Sequence, residues 1–394
     1  MTLTEALSAA EPGDRILIRP GLYKEGVVID KPVEIIGDGE LTEVIIEANG
    51  KNTILFQANM ARVANLTLRQ TGGGKWYCVD IAQGRLDLEG CDITSQSLAC
   101  VAIHDGADPR LRRNTIHDGK QSGVFVYQNG QGTLEDNDIF ANEGSAIAIK
   151  GGGNPTLRRN RIHDGKATGV FVYENGQGTL EENDIFANAS SGVEIRDGGN
   201  LTLRRNSIHD GKSVGVMVGS DGAGTLEDNE IFANTLSGVQ IRDGGNPTLR
   251  RNRIHDGKAS GVFVYKNGQG TLEENDIFAN ALSGVEIKNG GNPTLRRNRI
   301  YDGKQNGVFV YENGQGTLED NGISANGLAG VDIREAGRPT LRRNRISDNG
   351  NVAIWVYSGG GGICEDNDLR GNKRGAWYIA ADCEENVTRN GNQE

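Results

Sequence analysis

The chain has 394 residues, of which 58 are glycine and only 36% are apolar, and it carries a formal net charge of −11. Glycine at about twice the ~7% of ordinary usage, with so few aliphatics, argues against two or three conventional globular domains and leaves either disorder or a turn-rich repeat, between which strict periodicity decides for the repeat. The negative charge repels a phosphate backbone and excludes nucleic acid as a partner; no stretch approaches the ~20 apolar residues that cross a bilayer, which excludes a membrane partner.

Residues 1–14 predict a capping helix. Leu3, Ala6, Leu7 and Ala10 fall at helical spacing, and Thr2 with Glu5 forms a capping-box pattern. An amphipathic helix there would cover the open apolar end of the first coil. The opening MTLTEALSAAEPGDR lacks the basic region and apolar run of a secretory leader. The five cysteines show no CxxC spacing, so the expectation is a cytoplasmic protein with reduced thiols. Residues 15–110 predict less regular coils, with short strands around Ile16, Ile18, Val27, Ile29, Ile35 and Ile45 between Pro-Gly and Gly-Asp turns. Cys78 and Cys100 fall in the column that Gly123 holds, which places them in successive coils as free thiols.

From residue 111 to 394 the repeat is regular. LRRNTIHDG begins at Leu111, with near copies at Leu157, Leu203, Leu249, Leu295 and Leu341; variants of LEENDIFAN begin midway, at Leu134, Leu180, Leu226, Leu272, Leu318 and Cys364. Since 111 + 23 = 134 and 134 + 23 = 157, the unit is 23 residues and two alternating units make a 46-residue pair, the signature of a solenoid. Val124, Val126, Leu134 and Ile139 define four apolar columns. Gly123-Val124-Phe125-Val126 alternates with period two, as a strand does. Glycine is too frequent for paired helices. The predicted fold is all-β, a right-handed parallel β-helix of three short strands per coil.

An asparagine column runs through Asn114, Asn137, Asn160, Asn183, Asn206, Asn229, Asn252, Asn275, Asn298, Asn321, Asn344 and Asn367. Asparagine tolerates the left-handed backbone of a sharp bend, and stacked amides can bond from coil to coil. The column therefore reads as a structural ladder. At the far end Val387 and Asn390 fall in register with the leucine and asparagine columns, and with no cap recognisable, end-to-end or side-by-side self-association is a possible partner mode.

The outward columns alternate between unit types. Arg158-Arg159 stands where neighbouring coils have Glu135-Asp136 and Glu181-Glu182, and Arg161 faces Asp184, a pattern for a register-fixing charge ladder. His117, His163, His209 and His255 alternate with Phe140, Phe186 and Phe232. Two coils' separation is too long for shared metal ligation, so they read as a surface His–Phe ladder. Another stripe carries Phe125, Phe171, Met217, Phe263, Phe309 and Trp355, with Tyr127, Tyr173, Tyr265, Tyr311 and Tyr357 two positions on. The intervening coils offer Lys150, Arg196, Arg242, Lys288 and Arg334. Such a stripe is either cross-coil packing or an interaction surface, and Phe125, Tyr127, Phe171, Tyr173, Phe263, Tyr265, Phe309, Tyr311, Trp355 and Tyr357 are the candidate ligand-binding residues.

The units LRRNRIHDGK, GVFVYENGQGTLEENDIFAN and SGVEIRDGGNPTLRRNRI resemble the β-helix repeats of the carbohydrate-binding and sugar-hydrolase group, with the nearest resemblance to the β-helix domain of the F-box-only ubiquitin-ligase receptors. The resemblance implies a domain that holds a protein substrate; with no F-box-like segment and no cysteine-histidine zinc module, ligase activity does not carry over. Enzymes of this fold, such as pectate lyases and alginate epimerases, place a one-off cluster of acids and bases where the repeat breaks. The breaks here are Lys75, Trp76 and Tyr77, then Asp105, Asp108 and Arg110, then Ser220 with Asp221; Asp108-Pro109-Arg110 matches the epimerase Asp-Pro-His only in part. A single file of Thr133, Thr156, Thr179, Thr202, Thr225, Thr248 and Thr271 lacks the paired ranks an ice-binding face would need. The sequence therefore predicts a non-catalytic binding scaffold for a protein or polysaccharide ligand, with a polysaccharide-modifying lyase, hydrolase or epimerase as one alternative and a purely structural or ice-binding solenoid as another, and it assigns no catalytic residue, metal or cofactor.

Overall fold

The structure is a computed structural model that describes residues 2–394. It comprises two compact units, Met1–Val193 with Gly199–Leu201 and Glu194–Gly198 with Thr202–Glu394. Each unit is a parallel β-solenoid of three-strand coils. In the first, strands such as Thr133–Glu135, Asp138–Phe140 and Val124–Val126 belong to three different sheets, called here sheets 1, 2 and 3. Leu134 pairs with Leu157, Ile139 with Ile162 and Val124 with Ile147, each 23 residues on. The second unit repeats this in Leu249–Leu272, Ile254–Ile277 and Val262–Val285. Leu134, Ile139, Val124 and Val126 are 0% exposed, so the four columns read from the sequence are the core. Near the amino terminus the winding is uneven: Arg15 pairs with Glu34, Glu34 with Arg62 and Arg62 with Asp87, before the 23-residue step begins at Asp87–Arg110.

The amino-terminal helix occupies Leu3–Ala9, and its capping box is formed, with Glu5 N–H donating to Thr2 Oγ1 and Thr2 N–H to Glu5 Oε2. Leu3 and Leu7 are buried. The Lys31 ammonium donates to the carbonyls of Leu7 and Ala10 at 3.1 Å each, satisfying last-turn acceptors that a helix leaves open.

The asparagine ladder is present in each unit. Asn229 donates from its backbone N–H and its Nδ2 to Asn252 Oδ1 (3.0 and 2.9 Å) and from Nδ2 to the Leu203 carbonyl (3.0 Å). Its own Oδ1 accepts the backbone N–H and Nδ2 of Asn206. The left-handed residue of the bend is not the asparagine, as expected from the sequence, but the charged residue before it: Arg113, Asp136, Arg159, Asp228 and Arg251 have φ of 52°, 55°, 51°, 56° and 52°. The asparagine backbone stays out of that region because its side chain must point inward along the axis.

A second buried ladder stands at the corner between sheets 2 and 3. Asn142 Oδ1 accepts the Gly119 N–H at 3.0 Å, and Asn188 and Asn234 serve Gly165 and Gly211 in the same way. Glycine alternates with asparagine up to Gly303, and a Cβ on Gly165 would lie 2.8 Å from Asn188 Oδ1; beyond it Asn326, Asn349 and Asn372 follow one another and bond in the same way.

The charge ladder has direction. Arg159 reaches back to Asp136 Oδ1 at 2.9 Å and Glu135 Oε1 at 2.5 Å, while Arg158 reaches forward to Glu181 at 3.6 Å. In the second unit Glu227 is held from both sides by Arg204 (3.2 Å) and Arg251 (2.6 Å). Such exposed pairs contribute little singly, but a one-coil slip would set like charges together.

The carboxyl-terminal coil departs from the expected register. Cys364 pairs with Arg389 and Glu365 with Asn390, and it is Asn392 that continues the ladder from Asn367. Arg389 therefore takes the leucine column, lying 5.7 Å from the Trp377 ring and 3.8 Å from Glu384, while Trp377 Nε1 donates to Glu394. The Ala381–Asn386 turn of 3-10 helix supplies the two extra residues that shift the frame. All five cysteines are free and buried; burial pushes the Cys78 and Cys91 thiols up to about 12.

The histidine–phenylalanine ladder on sheet 2 forms as expected, with His117–Phe140 at 5.0 Å and His163–Phe186 at 4.6 Å. Each histidine is also clamped: His117 Nε2 lies 3.2 Å from Asp92 and Nδ1 2.7 Å from Asp118. The Asp92 bond raises the His117 pKa against the opposing pull of burial, and Asp118 adds to it.

Two outcomes follow. Asn229→Ala removes the oxygen that accepts the Asn206 backbone N–H, the donor to the Leu203 carbonyl and one of the two donors to Asn252 Oδ1, so a loss of ~1–3 kcal/mol is expected in urea unfolding; an unchanged midpoint would refute the ladder's energetic role. For His117 the folded pKa lies above the unfolded value of ~6.5. Its stabilisation is therefore complete below that value and lost as pH rises through the folded pKa. His117→Phe keeps the ring stack and should flatten that part of the stability–pH curve.

Candidate interaction face on the third sheet

In the first unit the sheet 3 strands Val124–Val126 and Val170–Val172 bury their two valines and turn the middle residue outward. Phe125 stacks on Tyr127 at 4.5 Å and Phe171 on Tyr173 at 4.4 Å, so the stripe is a series of pairs, each within one coil. Between them the Lys150 ammonium lies 5.6 Å from the Tyr173 ring and 3.2 Å from Glu174. Ala148 is too small to fill the space between the pairs, and a cleft of about 190 Å3 opens there, lined by Tyr77, Gln121, Phe125 and Tyr173.

Two of the sequence breaks meet at the head of this stripe. Tyr77 Oη lies 3.4 Å from Tyr127 Oη, and the Tyr77 N–H donates to Asn52, whose Nδ2 donates to Asp80. Asp80 Oδ1 lies 2.8 Å from His104 Nε2, and Asp105 lies 2.8 Å from His104 Nδ1. The His104 ring stacks on Tyr127 at 4.9 Å. His104 was missed in the sequence because its His-Asp-Gly triplet resembles the repeat yet falls in the tyrosine column of sheet 3. The Asp80 bond raises its pKa, burial opposes this, and Asp105 adds. Both ring nitrogens are thereby occupied by carboxylates, so the group holds Tyr127 in place and offers no nitrogen to a substrate. Trp76 is exposed beside it, its N–H donating to Ser97. Asp108 and Arg110 are not brought in: Arg110 opens the sheet 1 strand Arg110–Arg112.

In the second unit the same stripe is closed by cations. Phe263 stacks on Tyr265 at 4.4 Å and Phe309 on Tyr311 at 4.2 Å; Trp355 and Tyr357 tilt at 43°. Lys288 lies 6.0 Å from Phe263 and 5.2 Å from Tyr311, and Arg334 lies 4.6 Å from Phe309 and 5.8 Å from Tyr357. Glu286 accepts the Tyr311 hydroxyl at 2.5 Å and the Ser260 hydroxyl at 2.6 Å. Leu236, Leu282 and Leu328, 46 residues apart and 43%, 37% and 42% exposed, form a ridge at the turn entering sheet 3. The sequence reading passed over this ridge although the Leu-Ser-Gly and Leu-Ala-Gly triplets marked it. Ser220 and Asp221 form a left-handed turn (φ 46° and 59°) beside a dent of about 30 Å3, room for one water.

Asp332 replaces glutamate in this column and is buried, with Asn306 donating to Oδ2 at 3.3 Å and Oδ1 unpartnered. Burial pushes its carboxyl up to about 6, against the pull of Arg334. Among the described residues no group of histidine, cysteine, aspartate and glutamate has metal-holding geometry, and no helix is long and apolar enough to cross a membrane. Because the folded pKa of Asp332 exceeds its unfolded value, the residue weakens the fold increasingly as pH rises from about 4 through 6. Asp332→Asn should raise stability at pH 7.5 by roughly 1–3 kcal/mol and leave it unchanged at pH 4; a loss at pH 7.5 would show that the charge is compensated.

The family model described as "Right handed beta helix region" matches residues 45–193, 145–284 and 267–393. Among curated proteins the chain is 29% identical over 126 residues to the F-box protein SKIP5 of Arabidopsis thaliana, a match covering 30% of this chain and 45% of that one. It is 28% identical over 134 residues to SHC SH2 domain-binding protein 1 homolog B of Xenopus laevis, covering 33% and 19%. The match thus spans less than half the length of either relative. Among solved structures, the A-module of the Azotobacter vinelandii mannuronan C-5 epimerase AlgE6 aligns over 99% of this chain and 92% of its own, at 17% identity and a TM-score of 0.46. With the family model spanning most of its length and the three-sheet winding observed throughout, the chain belongs to the right-handed β-helix family.

Proposed function

We propose that the chain is a non-catalytic recognition solenoid that holds a protein ligand on the outward face of sheet 3. The observation that carries this is the recurrence, every second coil, of a half-exposed Phe–Tyr pair flanked by a cation, with Leu236, Leu282 and Leu328 alongside in the second unit. Aromatic and arginine side chains are the residues that anchor protein interfaces. A stacked sugar needs an uncovered ring face, and in the second unit the faces of Phe263, Phe309 and Tyr311 already carry a ring or a cation. The carboxylates on both nitrogens of His104 speak against proton transfer there. The name of the Xenopus relative, a domain-binding protein, points the same way for the third of the chain it matches.

A polysaccharide ligand is the rival reading, favoured by the cleft beside Phe125 in the first unit, where no cation covers the ring.

The test replaces Phe171, Phe263 and Phe309 together by Ser and compares the variant with the wild type in affinity capture from lysate and on a glycan array. The wild type should retain proteins that the variant loses, with the melting temperature within a few degrees. Glycan binding that the variant abolishes, or release of shortened or unsaturated sugar products, would replace this reading with the polysaccharide one.

A further inference from the structure

We infer that the ligand segment seated on sheet 3 of the second unit is a polyproline-II strand lying along the solenoid axis; this rests on the protein-ligand reading above. The first argument is period. The stripe repeats every two coils, ~9.6 Å at ~4.8 Å per coil. A polyproline-II helix presents every third residue on one side, ~9.3 Å apart. Across the two modules from Phe263 to Trp355 the mismatch reaches only ~0.6 Å. An α-helix repeats its apolar face every heptad, ~10.5 Å, and drifts by ~1.8 Å over the same span. A β-strand advances ~10 Å in three residues but turns the third to the opposite face, so alternate modules would meet the wrong side.

The second argument is hydrogen-bond complementarity. A polyproline-II backbone makes no internal hydrogen bonds and carries free carbonyls along its length. The column facing it runs Arg242, Tyr265, Lys288, Tyr311, Arg334 and Tyr357 over six successive coils; Arg242, Lys288 and Arg334 are ion-paired to Asp243 (3.5 Å), Glu312 (3.4 Å) and Glu335 (3.4 Å), and each cation has more N–H donors than one such pair uses. Arg334 Nη1 donates to the Tyr357 oxygen at 3.0 Å, which leaves the Tyr357 proton to be given outward; the Tyr311 proton is committed to Glu286. Half-buried Phe263, Phe309 and Trp355, whose faces are taken by neighbouring rings and cations, leave ring edges for prolyl rings to pack against, and the preformed conformation of such a segment limits the entropy lost on docking.

The experiment titrates the full chain into fluorescein-labelled oligoproline of nine, twelve and fifteen residues and reads anisotropy. Saturable binding is expected, tightening at least threefold with each added three residues, and weakening at least fivefold in Tyr265→Ser and in Tyr357→Phe at unchanged melting temperature. A fifteen-residue peptide with leucine at every third position among prolines should bind at least fivefold more tightly than one with leucine at every second position; this comparison needs no protein variant. No binding of oligoproline at millimolar concentration, equal binding of the two leucine peptides, or stripe-dependent binding of a heptad-leucine helix or an oligouronate instead, would overturn the inference. Should oligoproline fail while the triple Ser variant still loses captured proteins, this inference falls and the protein-ligand reading stands. Should the triple variant keep every captured protein, both fall.

Discussion

The buried amide at the corner between sheets 1 and 2 is the interaction on which the rest depends. A bend this sharp takes backbone N–H and carbonyl groups out of the sheets while keeping them away from water, and each would be costly if left unpaired. The asparagine side chain has one acceptor and two donor hydrogens, and in this register it uses all of them: Asn229 serves the coil on each side and the Leu203 carbonyl. That bonding requires an asparagine at the same angular position one coil away, which a 23-residue return supplies along the regular coils and a 25-residue return supplies at Asn392. The charged residue before it accepts a left-handed backbone as a consequence, a strain that the repeated bonding outweighs.

The doubling of the repeat to 46 residues has a physical source in charge. The two arginines of one coil type grip the acids of the coils on either side. This rewards alternation, and with it come the alternating aromatic and cationic residues of sheet 3. The outward face of sheet 3 is thus a by-product of the pattern that keeps the coils in step, which gives it a period instead of a single focus.

That periodicity shapes what the face can recognise. An enzyme site breaks a repeat to gather unlike groups at one point, and the nearest approach to this, around His104, uses both ring nitrogens for carboxylate contacts. The second unit has paired rings with cations between them, a period that the extended ligand proposed above would have to match.

The sequence by itself determined the winding. Leucine, isoleucine and valine columns at a 23-residue spacing can bury only if alike positions stack, and the structure has them at zero exposure. The asparagine column, the arginine–acid alternation and the His–Phe stack were legible for the same reason, being strictly periodic. Only the tertiary structure decided what happens where the period fails. Asn52, then Tyr77 with Asp80, then His104 lie on successive early coils whose spacing departs from 23 residues, and they meet at one edge of sheet 3. The frame shift that puts Arg389 in the leucine column depends on a turn of 3-10 helix with no counterpart in the repeat. Whether the aromatics formed a continuous run or separate pairs closed by Lys288 and Arg334 was likewise a matter of side-chain direction, which column spacing does not encode.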